Sequence, residues 1–132
     1  ELATVRSAQA MGQISDLAQS AIEINGISTV ATVLADGVTG DDLRKIALDL
    51  RNRAEKSVIA LISANDGKPV LVVAVSDAAR ALGMKAGALV KTGSTILGGG
   101  GGGKDDFAQG GGSDSSKSAQ ALQAITNVIS GK

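Results

Sequence analysis

Apolar positions in this chain recur first at helical spacing and then as short β-branched runs. Met11, Ile14, Leu17, Ala18 and Ala21 fall at three- and four-residue intervals, with Gln13, Asp16, Gln19 and Glu23 between them. That spacing predicts a helix over residues 1–24, stopped by Asn25-Gly26. Ile27 to Ala35 is rich in β-branched residues and predicts a strand. Thr39 is placed as an N-cap, with Asp42 three residues on. The helix it opens is expected to reach about Lys56, with Leu43, Ile46, Ala47, Leu50 and Ala54 as its apolar stripe. Ser57 to Ala64 and Val70 to Val75 are nearly continuous apolar runs, joined by the hairpin signal Asn65-Asp66-Gly67-Lys68. Pro69 falls at a strand entrance, where a missing N–H is tolerated. A short helix over about 77–82 ends at Gly83, and another runs over about 86–97 with Gly93 as its weak point. A last helix, about 115–129, should bury Ala119, Leu122, Ile125 and Ile129. No internal repeat is present.

This order of elements predicts an α/β fold. Two strands flanking a helix imply a parallel crossover, and the hairpin adds an antiparallel strand. Apolar runs on both hairpin strands imply a mixed β-sheet covered by helices on both faces. The chain then divides into a long N-terminal connecting helix, residues 1–26, and a globular domain, residues 27–132, with a glycine-rich loop at 98–112. Beginning with Glu1 instead of Met, it reads as a piece of a longer protein.

Composition narrows the chemistry. Phe107 is the only aromatic residue, so the core is aliphatic. Thirteen Lys and Arg balance thirteen Asp and Glu, and any anion site must come from local clustering. With no Cys and no His, the chain has no disulfide, no thiolate nucleophile, no usual zinc site and no Ser-His or Cys-His pair. No cofactor is expected. Lack of cysteine fits a cytoplasmic protein. No apolar run approaches the ~20 residues that a membrane span needs, and no signal peptide is visible, so no membrane partner is expected.

The densest chemical signal is the run Gly98, Gly99, Gly100, Gly101, Gly102 and Gly103, followed by Lys104-Asp105-Asp106-Phe107-Ala108-Gln109 and three more glycines. Backbone without side chains can bring N–H groups close to a large anion. By composition alone a flexible linker fits the segment equally well; against that stand the periodic helices that flank it closely and the specific insert Lys104 to Gln109. As a P-loop it lacks the hydroxyl residue after Lys104 and follows a helix instead of a strand. Between Asp77 and Asp105 there is no acidic residue, while Arg80, Lys85, Lys91 and Lys104 fall in that interval. Such cations neutralise phosphates without reading sequence. Arg44, Lys45, Arg51, Arg53 and Lys56 form a second basic group, read as a solvated helix face with Asp41 able to pair with Lys45. Phe107 either anchors the loop to the core or stacks on a base. Gln109 either bonds loop backbone or reaches a nucleotide. Asp105 and Asp106 alone are weak metal ligands.

Lys85-Ala86-Gly87, Leu89-Val90-Lys91, Gly98 to Gly103, Asp106-Phe107-Ala108-Gln109 and Gly111-Gly112 together resemble the C-terminal, DHH-associated domain of alanyl-tRNA synthetases. Asp105 departs from the family's common proline and Gly110 from its common alanine. The resemblance implies a module that contacts the outer corner of tRNA and supports aminoacylation and editing, with catalysis elsewhere in the parent ligase. It makes tRNA, of the alanine-specific kind, and the rest of the synthetase the expected partners. DHH phosphoesterases carry a related Gly-Gly-Gly loop that usually continues with histidine, which this chain lacks. Two other functions stay open: self-association as a homodimer through the segment 1–24, and the substrate-binding end of such a phosphoesterase.

Overall fold

The computed structural model describes residues 21–34, 38–53, 55–65 and 68–130. Strands β1 (Ile22–Ile24) and β2 (Ile27–Val33) come first, followed by helix α1 (Gly40–Arg51). Strands β3 (Ser57–Asn65) and β4 (Lys68–Val75) precede helices α2 (Asp77–Ala81) and α3 (Ala86–Leu97). Strands β5 (Gly101–Gly103) and β6 (Phe107–Gly111) lead through a 3-10 turn to helix α4 (Ser118–Ser130). The described strands form one sheet in the order β1-β2-β3-β4-β6-β5. Only β2 and β3 pair in parallel, with α1 as their crossover; every other pairing is antiparallel.

The helix expected over 1–24 lies outside the described residues as far as position 20. Its last part is corrected by the structure, since Ile22–Ile24 is a strand. Asn25 and Gly26 both have positive φ, 53° and 80°. A two-residue hairpin turn of the primed kind needs that pair of conformations. The dipeptide therefore folds Ile22–Ile24 back onto β2 instead of ending a helix. Asn25 Nδ2 donates to the Ile129 carbonyl at 3.1 Å and ties this turn to α4.

Helix α1 starts where its cap predicts, with Thr39 Oγ1 accepting from the Asp42 N–H at 3.2 Å. It ends at Arg51, short of Lys56, and Ser57 Oγ donates to the Arg51 carbonyl at 2.9 Å. Its ion pair four residues apart joins Asp49 to Arg53, at 3.2 Å; Asp41–Lys45 is not among the salt bridges of the described residues.

The sheet separates two aliphatic cores. Strand alternation sends Ile59 and Leu61 to the α1 side, with Leu43, Ile46, Leu50 and Val72. It sends Val58, Ala60 and Ile62 to the other side, with Leu71, Val73, Leu89 and Ile125 under α3 and α4. Gly93 is buried in this second core; a Cβ there would lie 2.6 Å from Leu71 Cδ2 and 2.9 Å from Ile125 Cδ1. Its cost to helix propensity is offset by close approach of α3 to the sheet and α4. In α4 the buried alanine is Ala121, and Ala119 faces solvent.

Candidate nucleic-acid interface

The glycine segment is an edge hairpin. β6 pairs with β4 in the register Val72↔Gln109 and Ala74↔Phe107, and β5 pairs with β6 as Gly102↔Gln109. Glycine has poor strand propensity, so nothing local predicts these strands. The free edge of β4 and the backing of α3 supply what propensity lacks.

The glycines have separate duties. Gly98 takes φ 83° as the left-handed C-cap of α3. Its N–H donates to the Thr95 carbonyl at 3.3 Å, and the Gly99 N–H donates to the Ser94 carbonyl at 2.9 Å. Both groups serve the helix end. Gly111 N–H donates to the Gly100 carbonyl, and Lys104 N–H donates to that of Phe107. Antiparallel alternation then turns the Gly102 peptide groups toward β6 and those of Gly101 and Gly103 to the outer edge. The Gly103 carbonyl oxygen would lie 3.2 Å from a Cβ at Gly87, so the start of α3 meets part of that edge. Every residue from Gly98 to Lys104 is nonetheless exposed. A Cβ at Gly100 or Gly102 would meet nothing within 4 Å, which leaves a bare face open to a large partner.

Cations stand on both sides of this face. Lys91 is exposed on α3, one turn after Gly87, on the helix side that also carries Val90 and Ser94 against the hairpin. Lys85 is the exposed N-cap residue of α3, and the Ala86 N–H donates to the Asp105 carbonyl at 2.9 Å. Arg80 is bound to Asp77 on α2. Its hydrogen bond to Asp77, with added attraction from Asp77, Asp106 and Asp105, holds the guanidinium above its ordinary pKa.

On the α1 side lies a groove of about 500 Å³ lined by residues that include Arg44, Leu48, Arg51, Gly102, Lys104 and Gln109. Gln109 reaches toward α1, its Nε2 lying 2.7 Å from where a Cβ of Gly40 would stand. Phe107 packs against the α1-side core, and the Arg44 guanidinium lies over its ring with Cζ 5.4 Å from the centroid. Arg51 Nη1 donates to the Asp106 carbonyl at 3.4 Å and lies 3.9 Å from its carboxylate. Sequence reasoning assigned Arg44 and Arg51 to a solvated helix face. Their spacing with Leu48, one stripe of α1, was the available signal, but only the position of β6 reveals what that stripe faces. Among the described residues no group of carboxylates could hold a metal ion.

Fold and edge together define a small mixed α/β domain whose sheet ends in a polyglycine hairpin flanked by cations. The chain belongs to the DHHA1 domain family, whose profile matches residues 26–131. It is 44% identical over 131 residues, 98% of its length, to the alanine–tRNA ligase of Paenarthrobacter aurescens (strain TC1). It is 39% identical over 132 residues, again 98% of its length, to that of Streptomyces avermitilis. The chain spans 15% of the length of each. The C-Ala domain from Aquifex aeolicus alanyl-tRNA synthetase has the same fold, with a TM-score of 0.77 at 28% identity, covering 84% of this chain and 98% of that one. The resemblance read from residues 85–112 thus extends along the whole chain. A DHH-domain protein described as a member of a ribosomal-protein family shares the fold alone, at a TM-score of 0.62 and 15% identity, over 93% of this chain and 31% of that one.

Proposed function

We propose that this chain is a tRNA-binding module of an alanine–tRNA ligase, acting in the cytoplasm beside the catalytic parts of that enzyme. It contacts the outer corner of alanine-specific tRNA through phosphates and shape, and it carries no catalytic group of its own. The observation that supports this most is the exposed, side-chain-free face of β5, flanked by Lys91 on one side and by Lys104 and Arg44 on the other. A flat backbone surface among cations fits a ribose–phosphate chain, and structured RNA is read chiefly by such contacts. Similarity over nearly the full chain to alanine–tRNA ligases supports the choice of tRNA.

The test is filter retention of tRNA across a salt series. Affinity should fall steeply with salt, and Lys91→Ala with Lys104→Ala should weaken all tRNAs alike. Each lost phosphate contact lowers the salt slope by about 0.7–0.9. Undetectable retention at low ionic strength, or loss confined to one tRNA sequence, contradicts the reading.

A further inference from the structure

We infer that the groove between α1 and the glycine hairpin is a nucleotide subsite that takes one unpaired RNA residue, stacking its base on the Arg44–Phe107 pair. This rests on the RNA-binding reading above. It adds a base contact where that reading has only phosphates and shape.

Five features converge on it. Phe107, the only aromatic side chain in the chain, packs on the α1-side core yet keeps part of its surface in the groove. Arg44, exposed on α1, is carried over that ring. Guanidinium and aromatic surfaces are the platforms on which unstacked bases settle. Among the described residues neither Arg44 nor Lys104 enters a salt bridge, while Arg51 is engaged with Asp106. The groove thus offers two cations outside any of these salt bridges for a phosphate, and its one carboxylate, Asp106, faces Arg51. Gln109 supplies amide donors and an acceptor for a base edge. Gly102 forms a wall whose missing side chain leaves open space, and about 500 Å³ is within the range of small-ligand sites. A nucleotide matches both the cations and the stacking pair, whereas the carboxylates of an acidic peptide match only the cations.

A single aromatic residue makes the test direct. Incorporation of 4-fluorophenylalanine places one 19F label in the chain, at position 107. The labelled protein is titrated with adenosine 5′-monophosphate, ribose 5-phosphate, a single-stranded oligoribonucleotide and tRNA. The nucleotide and the oligonucleotide should shift the resonance saturably, and ribose 5-phosphate at equal concentration should leave it unmoved. Arg44→Lys keeps the charge but removes the planar surface. It should weaken the oligonucleotide about tenfold, as expected for one base stack, while the salt slope stays the same. Circular dichroism confirms that the variant remains folded; if not, Arg44→Gln replaces it, with the salt slope then lower by about 0.7–0.9, the share of one phosphate contact. Retention of tRNA with a silent 19F signal, an equal response to ribose 5-phosphate, or an Arg44→Lys affinity within twofold overturns the subsite and leaves the phosphate-based reading standing. Failure of tRNA to bind at low salt overturns both.

Discussion

A methyl group distinguishes the glycines of the hairpin from one another. At Gly101 a Cβ would collide with Gly110 Cα and come within 2.8 Å of the Gln109 carbonyl oxygen. At Gly110 it would strike Ser94 Oγ and lie 2.7 Å from Val90 Cγ1. At Gly102 it would meet nothing. Gly101→Ala should therefore destabilise the protein by about 1–3 kcal/mol through overpacking, a fall of several degrees in Tm. Gly102→Ala should leave Tm unchanged. Thermal melts followed by circular dichroism compare the two, and equal melting points would refute the division. Ser94 shows how tightly α3 is applied here: its Oγ is buried without a hydrogen-bond partner among the described residues. The glycine run and its Lys104 were plain from the amino-acid order. Which glycines pack and which lie bare depends on α3 and β6, and no local pattern encodes that.

Helix caps differ in what water can repair. Ser76 is buried at the start of α2, and its Oγ accepts from the Ser57 N–H at 2.9 Å and from the Ala79 N–H at 3.3 Å. Thr39 caps α1 in solvent. Ser76→Ala leaves two amide donors without this acceptor and should cost about 1–3 kcal/mol, while Thr39→Ala should cost less, nearer the ~0.5–1 kcal/mol of an exposed cap. Urea unfolding monitored at helix wavelengths measures both, and a larger loss at Thr39 would contradict the argument. Asp114 acts similarly before α4: hydrogen bonds from the Ser116 hydroxyl and N–H hold its carboxyl below the ordinary carboxylate range. Capping residues and apolar stripes made α1, α3 and α4 legible, because such signals lie within a few positions of each other. Ile22–Ile24 was misread, since Asn25-Gly26 serves a helix end and a hairpin turn equally well. β5 and β6 were missed because glycine carries no strand signal.

For the molecule as a whole, one sheet couples two cores. Ile46 lies wholly buried on the α1 side and Ile125 wholly buried under α4. Ile46→Ala or Ile125→Ala should each cost about 2–5 kcal/mol, a large share of the ~5–15 kcal/mol that holds a domain together. β3 and β4 line both cores, so either change should lower one cooperative transition. A second transition in denaturant, seen for either variant, would show that the cores melt separately. Periodicity and β-branched runs sufficed to establish a mixed sheet with helices on both faces, since burial imposes the same spacing wherever the partner lies. The linear order also exposed a cationic approach to a glycine run. It could not place Arg44 over Phe107 or join Arg51 to Asp106, nor make bare glycines an edge strand. Those arrangements arise when β6 pairs along the edge of β4 and α1, far away along the chain, packs across one face of the same sheet, and long-range packing leaves no periodic trace in the residues it brings together.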